Sequence, residues 1–331
     1  MNGFFTTQRA LASSGLALIA LGIFFFAGGP TFVYERTPPE VVAPRPIRIV
    51  AVGDIMLDRS IRSVANTYFE GSYDPFFVEL KKFAQGSVLF GNLEGPISDK
   101  GSKRGSIYSF RMSPSALEAL KNTGFSVLSF ANNHIGDFGQ EAYDDTILRA
   151  KNEGLPLIGI VPTPNASQLV ITTQGGVRIG WLGYTDVGPA WMAPTDTHHG
   201  VGLLDEAQLV KDITVAQPQV DMLIISLHWG NEYETRANAH QRDIAHSAID
   251  AGADVILGHH PHVAQEIEEY NGGVIAYSLG NFVFDQNFSA DTHFGLVLEI
   301  MRDPSGDLSQ RTHRAVFDAK YVPHIEPYVS S

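Results

Sequence analysis

Three histidines in four positions, His259-His260-Pro261-His262, follow directly on the apolar run Val255-Ile256-Leu257 and Gly258. On extended backbone His260 and His262 project to one side, while His259 faces the other way, and Pro261 stiffens the segment between them. Neutral imidazole is the commonest metal-binding side chain, and a strand tip is where α/β proteins place their chemistry. The plainer reading is a histidine-rich surface loop. Against it stand four further polar clusters that end apolar runs in the same manner: Asp54 after Gly53, Glu94 in Asn92-Leu93-Glu94, Asn133 and His134 after Asn132, and His228 before Trp229-Gly230.

Taken singly, each cluster has a structural alternative. Asp54 suits a helix cap, Glu94 a solvated loop, Asn133 a turn and His228 a hydrogen-bonded core position. Taken together they match the needs of a hydrolytic site with two divalent ions, in which carboxylates neutralise charge and bridge the metals while imidazoles complete the coordination. Which of Mn, Fe, Zn or Mg is bound stays open. The chain has no cysteine, which removes thiolate nucleophiles, disulfides and cysteine-ligated zinc. Ser278 is no serine-hydrolase nucleophile, because position 276 is Ala rather than the Gly of a nucleophile elbow. Asp137, three residues after His134, suits either of two tasks, orienting that ring or capping the next helix. Trp191, Tyr233 and Phe288 are candidates to line a groove, and His198 and His199 read as polar surface.

Five elements must hold these clusters. Strands are expected over Ile47–Asp54, Ser87–Phe90, Phe125–Phe130, Asp221–His228 and Ala253–Gly258. Helices are expected from Ser113 to Gly124, Asp137 to Asn152, Leu204 to Ala216 and Arg236 to Ala251, with Asp58–Phe83 partly helical. Gln174-Gly175-Gly176 and Asn271-Gly272-Gly273 mark hairpins, and strands over Gly295–Ile300 and Ala315–Tyr321 close the chain. Alternating strands and helices with hairpins inserted imply a layered α/β domain with a mixed sheet or two stacked sheets.

A composition of 44% hydrophobic and 18% charged residues is that of a folded domain, and a net charge of -13 with no basic stripe excludes nucleic acid as a partner. No charged residue occurs between Arg9 and Glu35, and Leu11–Ala27 is apolar, so a membrane span is expected. The expected organisation is a cytoplasmic tail over 1–9, a single transmembrane anchor over 10–34, a proline-rich linker over 35–46 and a folded domain over 47–331 outside the cytoplasm. Cleavage as a signal peptide at Ala27-Gly28-Gly29 is the alternative to an uncleaved anchor.

The ordered series Gly53-Asp54, Asn92-Leu93-Glu94, Asn132-Asn133-His134, His228-Trp229-Gly230-Asn231-Glu232, Gly258-His259-His260-Pro261-His262 and Tyr277-Ser-Leu-Gly-Asn-Phe282 resembles the CapA-type capsule (poly-γ-glutamate) synthesis family. That family is related to the calcineurin-like metallophosphoesterases. The resemblance implies a four-layer α/β/β/α sandwich of metallophosphoesterase type. It implies Asp54 and His262 on a first metal, Glu94 bridging, and Asn133, His228 and His260 on a second, with His134 protonating the leaving group or steadying the transition state. Met56 stands where the histidine of Asp-x-His is usual, so the first site is one imidazole short unless Asp58 or water completes it. The function implied is that of a membrane-anchored, metal-dependent hydrolase or transferase of capsule or exopolymer assembly. Its substrate would be an anionic polymer, a phosphoester or an amide, and its partners other capsule-synthesis membrane proteins. The alternative is a non-catalytic polymer-handling or export subunit that keeps the fold.

Overall fold

A computed structural model describes residues 46–104, 106–164 and 166–328. The expected tail, anchor and most of the linker, residues 1–45, lie outside the described residues. Among the described residues no helix is long and apolar enough to cross a membrane.

The chain begins with β1 (Ile47–Ile55), α1 (Arg59–Tyr68), α2 (Val78–Phe83), β2 (Val88–Leu93), α3 (Ser115–Thr123), β3 (Val127–Ser129) and α4 (Gly139–Asn152). It continues through β4 (Leu157–Ile158), β5 (Ile160–Val161), β6 (Val170–Gln174), β7 (Val177–Thr185), β8 (Gly200–Val201), α5 (Glu206–Ala216) and β9 (Met222–His228). It ends with α6 (Ala239–Asp250), β10 (Val255–His259), β11 (Ile267–Tyr270), β12 (Gly273–Ala276), β13 (Asn281–Val283), β14 (Phe294–Arg302), β15 (Leu308–Phe317) and β16 (Pro323–Pro327).

These strands build two mixed sheets. One runs β16-β15-β14-β1-β2-β3-β4 with β13 also on β1, the other runs β11-β12-β10-β9-β7-β6, and β5 and β8 form a separate pair. Period-2 alternation sorts each central strand between two faces. Ile49, Ala51 and Phe90 of the first sheet pack against Trp181, Ile224 and Leu257 of the second, which makes an apolar layer between the sheets. The outer face of the first sheet, through Val50, Val52 and Leu89, meets Ile61, Leu120 and Tyr143 of the first four helices. The outer face of the second, through Leu223, Ile225 and Ile256, meets Leu209, Ile213 and Ala245 of α5 and α6. The fold is therefore mixed α/β, with helix, sheet, sheet and helix in successive layers.

Neighbouring strands β1, β2 and β3 are parallel, as are β9 and β10, so their carboxyl ends open at one end of each sheet. Two glycines let the chain close there. A Cβ on Gly53 would lie 1.8 Å from the Gly280 carbonyl oxygen, and one on Gly258 would lie 1.9 Å from that of Tyr277. The strand expected over Ala315–Tyr321 instead starts at Leu308, because its ladder with β14 continues to the pair Arg302 and Leu308. Strands β4, β5, β8, β13 and β16 have no apolar run long enough to announce them.

Candidate metal centre

Asp54 is the penultimate residue of β1, and its Cα pairs in register with Asn92 of β2 and Asn281 of β13. Its Oδ1 accepts a hydrogen bond from Asn92 Nδ2 at 2.9 Å, and its Oδ2 lies 3.2 Å from His262 Nδ1. Burial alone would push this carboxyl up, but the imidazoles of His259 and His262 outweigh it and hold Asp54 well below the usual carboxylate range.

Glu94 follows β2 and is fully buried. Its Oε1 has no hydrogen-bond partner and stands 3.7 Å from His262 Nε2 and 3.8 Å from His134 Nε2. Burial, then the nearby Asp54 charge, push Glu94 well above the usual range. The two carboxyls cannot both ionise cheaply without a cation between them.

His228 ends β9 and pairs in register with His259 at the end of β10. Its Nε2 is 2.9 Å from Asn133 Oδ1, and its Nδ1 is 3.4 Å from Asn92 Nδ2. Burial, then the His260 ring with its centroid 4.9 Å away, hold His228 well below its ordinary value. Burial and the neighbouring His262 likewise bring His260 down to about 4. Both shifts favour the neutral imidazole, the form in which histidine binds a metal.

The histidine segment is not the extended strand tip expected from sequence. The strand ends at His259, and His260 and His262 adopt φ values of 97° and 59°. They share a site because the backbone coils in the left-handed region, with the neighbouring loop bound to it: Tyr233 N donates to the Pro261 carbonyl at 2.8 Å, and Trp229 N to that of His259 at 3.1 Å. This docking brings in Glu232, which the sequence reading passed over although it stands four residues beyond His228 in the same motif. Ligand atoms fall into two sets, each within 4.8 Å: Asp54, Glu94 and His228 in one, Glu232, His260 and His262 in the other. The resemblance had divided these residues differently. His259 is fully buried beside Asp54, its Nδ1 3.4 Å from Oδ1, and neither ring nitrogen makes a hydrogen bond.

His134 Nδ1 is 2.8 Å from Asp137 Oδ2, which also accepts from Phe110 N at 2.7 Å. Asp137 therefore orients the ring rather than capping α4, whose N-cap is Phe138. Asp58 is engaged elsewhere, with its Oδ1 3.0 Å from Arg62 Nη2 and its Oδ2 accepting from Arg111 N at 2.8 Å. Met56 is fully buried. Ser278 is buried too, its hydroxyl donating to the Val263 carbonyl.

A cleft of about 540 Å³ opens over Asn133, His134, Glu232 and His262, with Tyr233 and Phe288 on its rim. Trp191 lies beside Gly136 instead. Orphaned ring nitrogens, an unpartnered carboxylate oxygen and neutral imidazoles form a donor set that fits divalent cations. Donors each about 2.1 Å from one ion stand roughly 3–4 Å apart, as several of these do.

The family model described as bacterial capsule synthesis protein PGA_cap matches residues 48–286. The chain is 33% identical over 285 residues to the capsule biosynthesis protein CapA of Bacillus anthracis, covering 81% of this chain and 68% of that one. It is 35% identical over 296 residues to the PGA biosynthesis protein CapA of Bacillus subtilis strain 168, covering 88% and 76%. Among solved structures it is similar to the Haemophilus influenzae NAD nucleotidase, with a TM-score of 0.47 and 12% identity, covering 86% of this chain and 60% of that one.

Proposed function

Since this chain belongs to the bacterial capsule synthesis protein family, we propose that it is a metal-dependent hydrolase or transferase of metallophosphoesterase type that serves capsule or exopolymer assembly. The observation that carries this reading is the pair of ligand sets, each within 4.8 Å, at one mouth of the two sheets. Asp54, Glu94 and His228 would hold one divalent ion, with Asn133 beside them, and Glu232, His260 and His262 would hold the other. Bound there, such ions supply Lewis acidity and a hydroxide nucleophile near neutral pH.

The chain's own residues do the remainder. Asn92 donates to Asp54 and fixes that carboxylate's direction. Asp137 takes His134 Nδ1, which leaves Nε2 facing Glu94 and the cleft, where it delivers a proton to the leaving oxygen or nitrogen. Buried walls of Phe110 and Phe284 keep water from the rings they cover. Residues 10–34 would anchor the domain outside the cytoplasm, where an anionic polymer and other capsule-synthesis membrane proteins would meet it.

Elemental analysis of the full chain, beside hydrolysis of a panel of phosphoesters and γ-glutamyl amides, tests the reading. Two ions per chain and chelator-sensitive turnover are expected. His134→Gln should lower turnover about 10²–10⁴-fold with the metal content unchanged. One observation favours the second reading, a non-catalytic polymer-handling subunit: Met56 fills the usual histidine place and is fully buried. Metal binding without turnover on any member of the panel selects that reading.

A further inference from the structure

We propose that Arg59 is a substrate-binding residue whose free guanidinium edge takes an oxyanion, carboxylate or phosphate, carried by the substrate beside the bond held at the metal centre. The inference rests on the cleft being a substrate site, as proposed above. Arg59 is the one lysine or arginine among the described residues lining that cleft, which also carries the acidic Glu232 and Asp285. An anionic substrate entering between those carboxylates needs a directed donor.

The guanidinium is fixed from three sides. Its Nε donates to Asp285 Oδ2 at 3.1 Å and its Nη2 to Asp285 Oδ1, and the same carboxylate accepts from Ser60 N at 3.1 Å. Its Cζ lies 4.8 Å over the Phe110 ring and 5.9 Å from that of Phe284. Those two rings also carry the candidate imidazoles, Phe110 at 4.1 Å from His134 and Phe284 at 4.8 Å from His262. The cation is therefore placed one ring away from both. Asp285 occupies Nε and one side of Nη2, so Nη1 and the second Nη2 hydrogen remain for another acceptor. That planar edge matches a carboxylate or phosphate. Because Asp285 neutralises the charge, recognition works by hydrogen-bond direction rather than long-range pull.

The backbone supports this placement. Among the described residues seven non-glycine positions have positive φ, and Arg59, Tyr233, His260 and His262 are four of them. All four gather at this site. Such conformations persist where surrounding contacts over-determine them, and they cluster at ligand sites. An arginine kept only for a partly exposed ion pair has no need of a φ of 48°.

The test is calorimetric titration of the metal-loaded full chain with two probes, inorganic phosphate and γ-glutamyl-glutamate. Arg59→Asn suits the left-handed backbone and removes the guanidinium. Arg59→Lys keeps the charge and a partner for Asp285 but loses the fork. Arg59→Asn should bind at least one probe about tenfold or more weakly, the size expected for hydrogen bonds to a charged group, with metal content preserved and the chain still folded at the temperature of the titration. Arg59→Lys should recover only part of the loss. An effect on phosphate alone identifies a phosphate, and one on the dipeptide alone a carboxylate. The proposal is overturned if the wild-type chain binds neither probe, or if either folded variant binds both as the wild type does. Arg59-dependent binding in a chain that retains no metal would sink the metal-centre reading and leave this one standing. Normal metal content with binding indifferent to Arg59 would do the reverse.

Discussion

Asp145 on α4 and Asp54 at the end of β1 are both buried aspartates, the first surrounded by cations and a hydroxyl, the second by imidazoles and amides. Ser98 Oγ donates to Asp145 at 2.6 Å, Arg149 Nε at 2.7 Å, and Lys100 Nζ lies 3.0 Å away. Burial would raise this carboxyl, yet those bonds bring it down to about 2. The cluster is complete within the chain. Around Asp54 the balance is different: Glu94 is pushed up, its Oε1 is unpartnered, and His259 and His260 hold unpaired ring nitrogens. A buried network left half-satisfied destabilises a fold unless something binds it. The contrast is between a carboxylate satisfied by its own chain and carboxylates that the proposed function assigns to a ligand.

The largest expected effect concerns cation-linked stability. At a divalent-ion concentration of about 100–1,000 times Kd, the folded wild type should gain about 3–4 kcal/mol, read as a rise in melting temperature that chelator reverses. Glu94→Gln should lose most of that gain. Identical melting of the wild type with and without Mn(II) would erase the contrast between the clusters.

Next in size, Asp145→Ala should cost about 2 kcal/mol, less than a fully buried pair because the Lys100 and Arg149 heads reach solvent, while metal stoichiometry stays at the wild-type value. A drop in bound metal would mean that the two clusters are linked after all.

A comparable but smaller contribution appears in acid. Those bonds hold the folded Asp145 carboxyl at about 2, below its ordinary value of 3.8, so the unfolded chain binds the proton first as pH falls. The stabilisation is present above pH 3.8 and is lost as pH falls through about 2, at most about 2 kcal/mol. Denaturant titrations of wild type and Asp145→Asn across that window should converge at its lower end.

The smallest effect is reserved for Asp58. Engaged by Arg62 and the Arg111 amide, it should tolerate Asn at a cost of about 1 kcal/mol or less, with unchanged metal content. Loss of an ion in Asp58→Asn would show that it completes the first site after all.

Much of the architecture was legible. Apolar runs ending in polar clusters located β1, β2, β3, β9 and β10 and the residues at their tips, because burial on both faces demands such runs. Three-residue spacing suits Asp137 both to a cap and to a ring partner, and only the fold, which sets its Oδ2 2.8 Å from His134 Nδ1, decides between them. Glu232 was missed because it is exposed and follows Gly230 in a loop without periodicity. The left-handed turn of His260 and His262 was missed because non-glycine residues rarely adopt it, and neighbouring loops rather than local preference hold it there.

The sequence by itself determined the strand tips, the residue types they carry, the lack of cysteine and the family. Tertiary structure alone decided which tips meet. Asp54 and His259 are separated by more than two hundred positions in the chain, yet stand 3.4 Å apart, because parallel strands in two packed sheets open at the same end. Local patterns record which face of a strand is buried; they do not record which neighbour lies against it, and that depends on how the sheets pack.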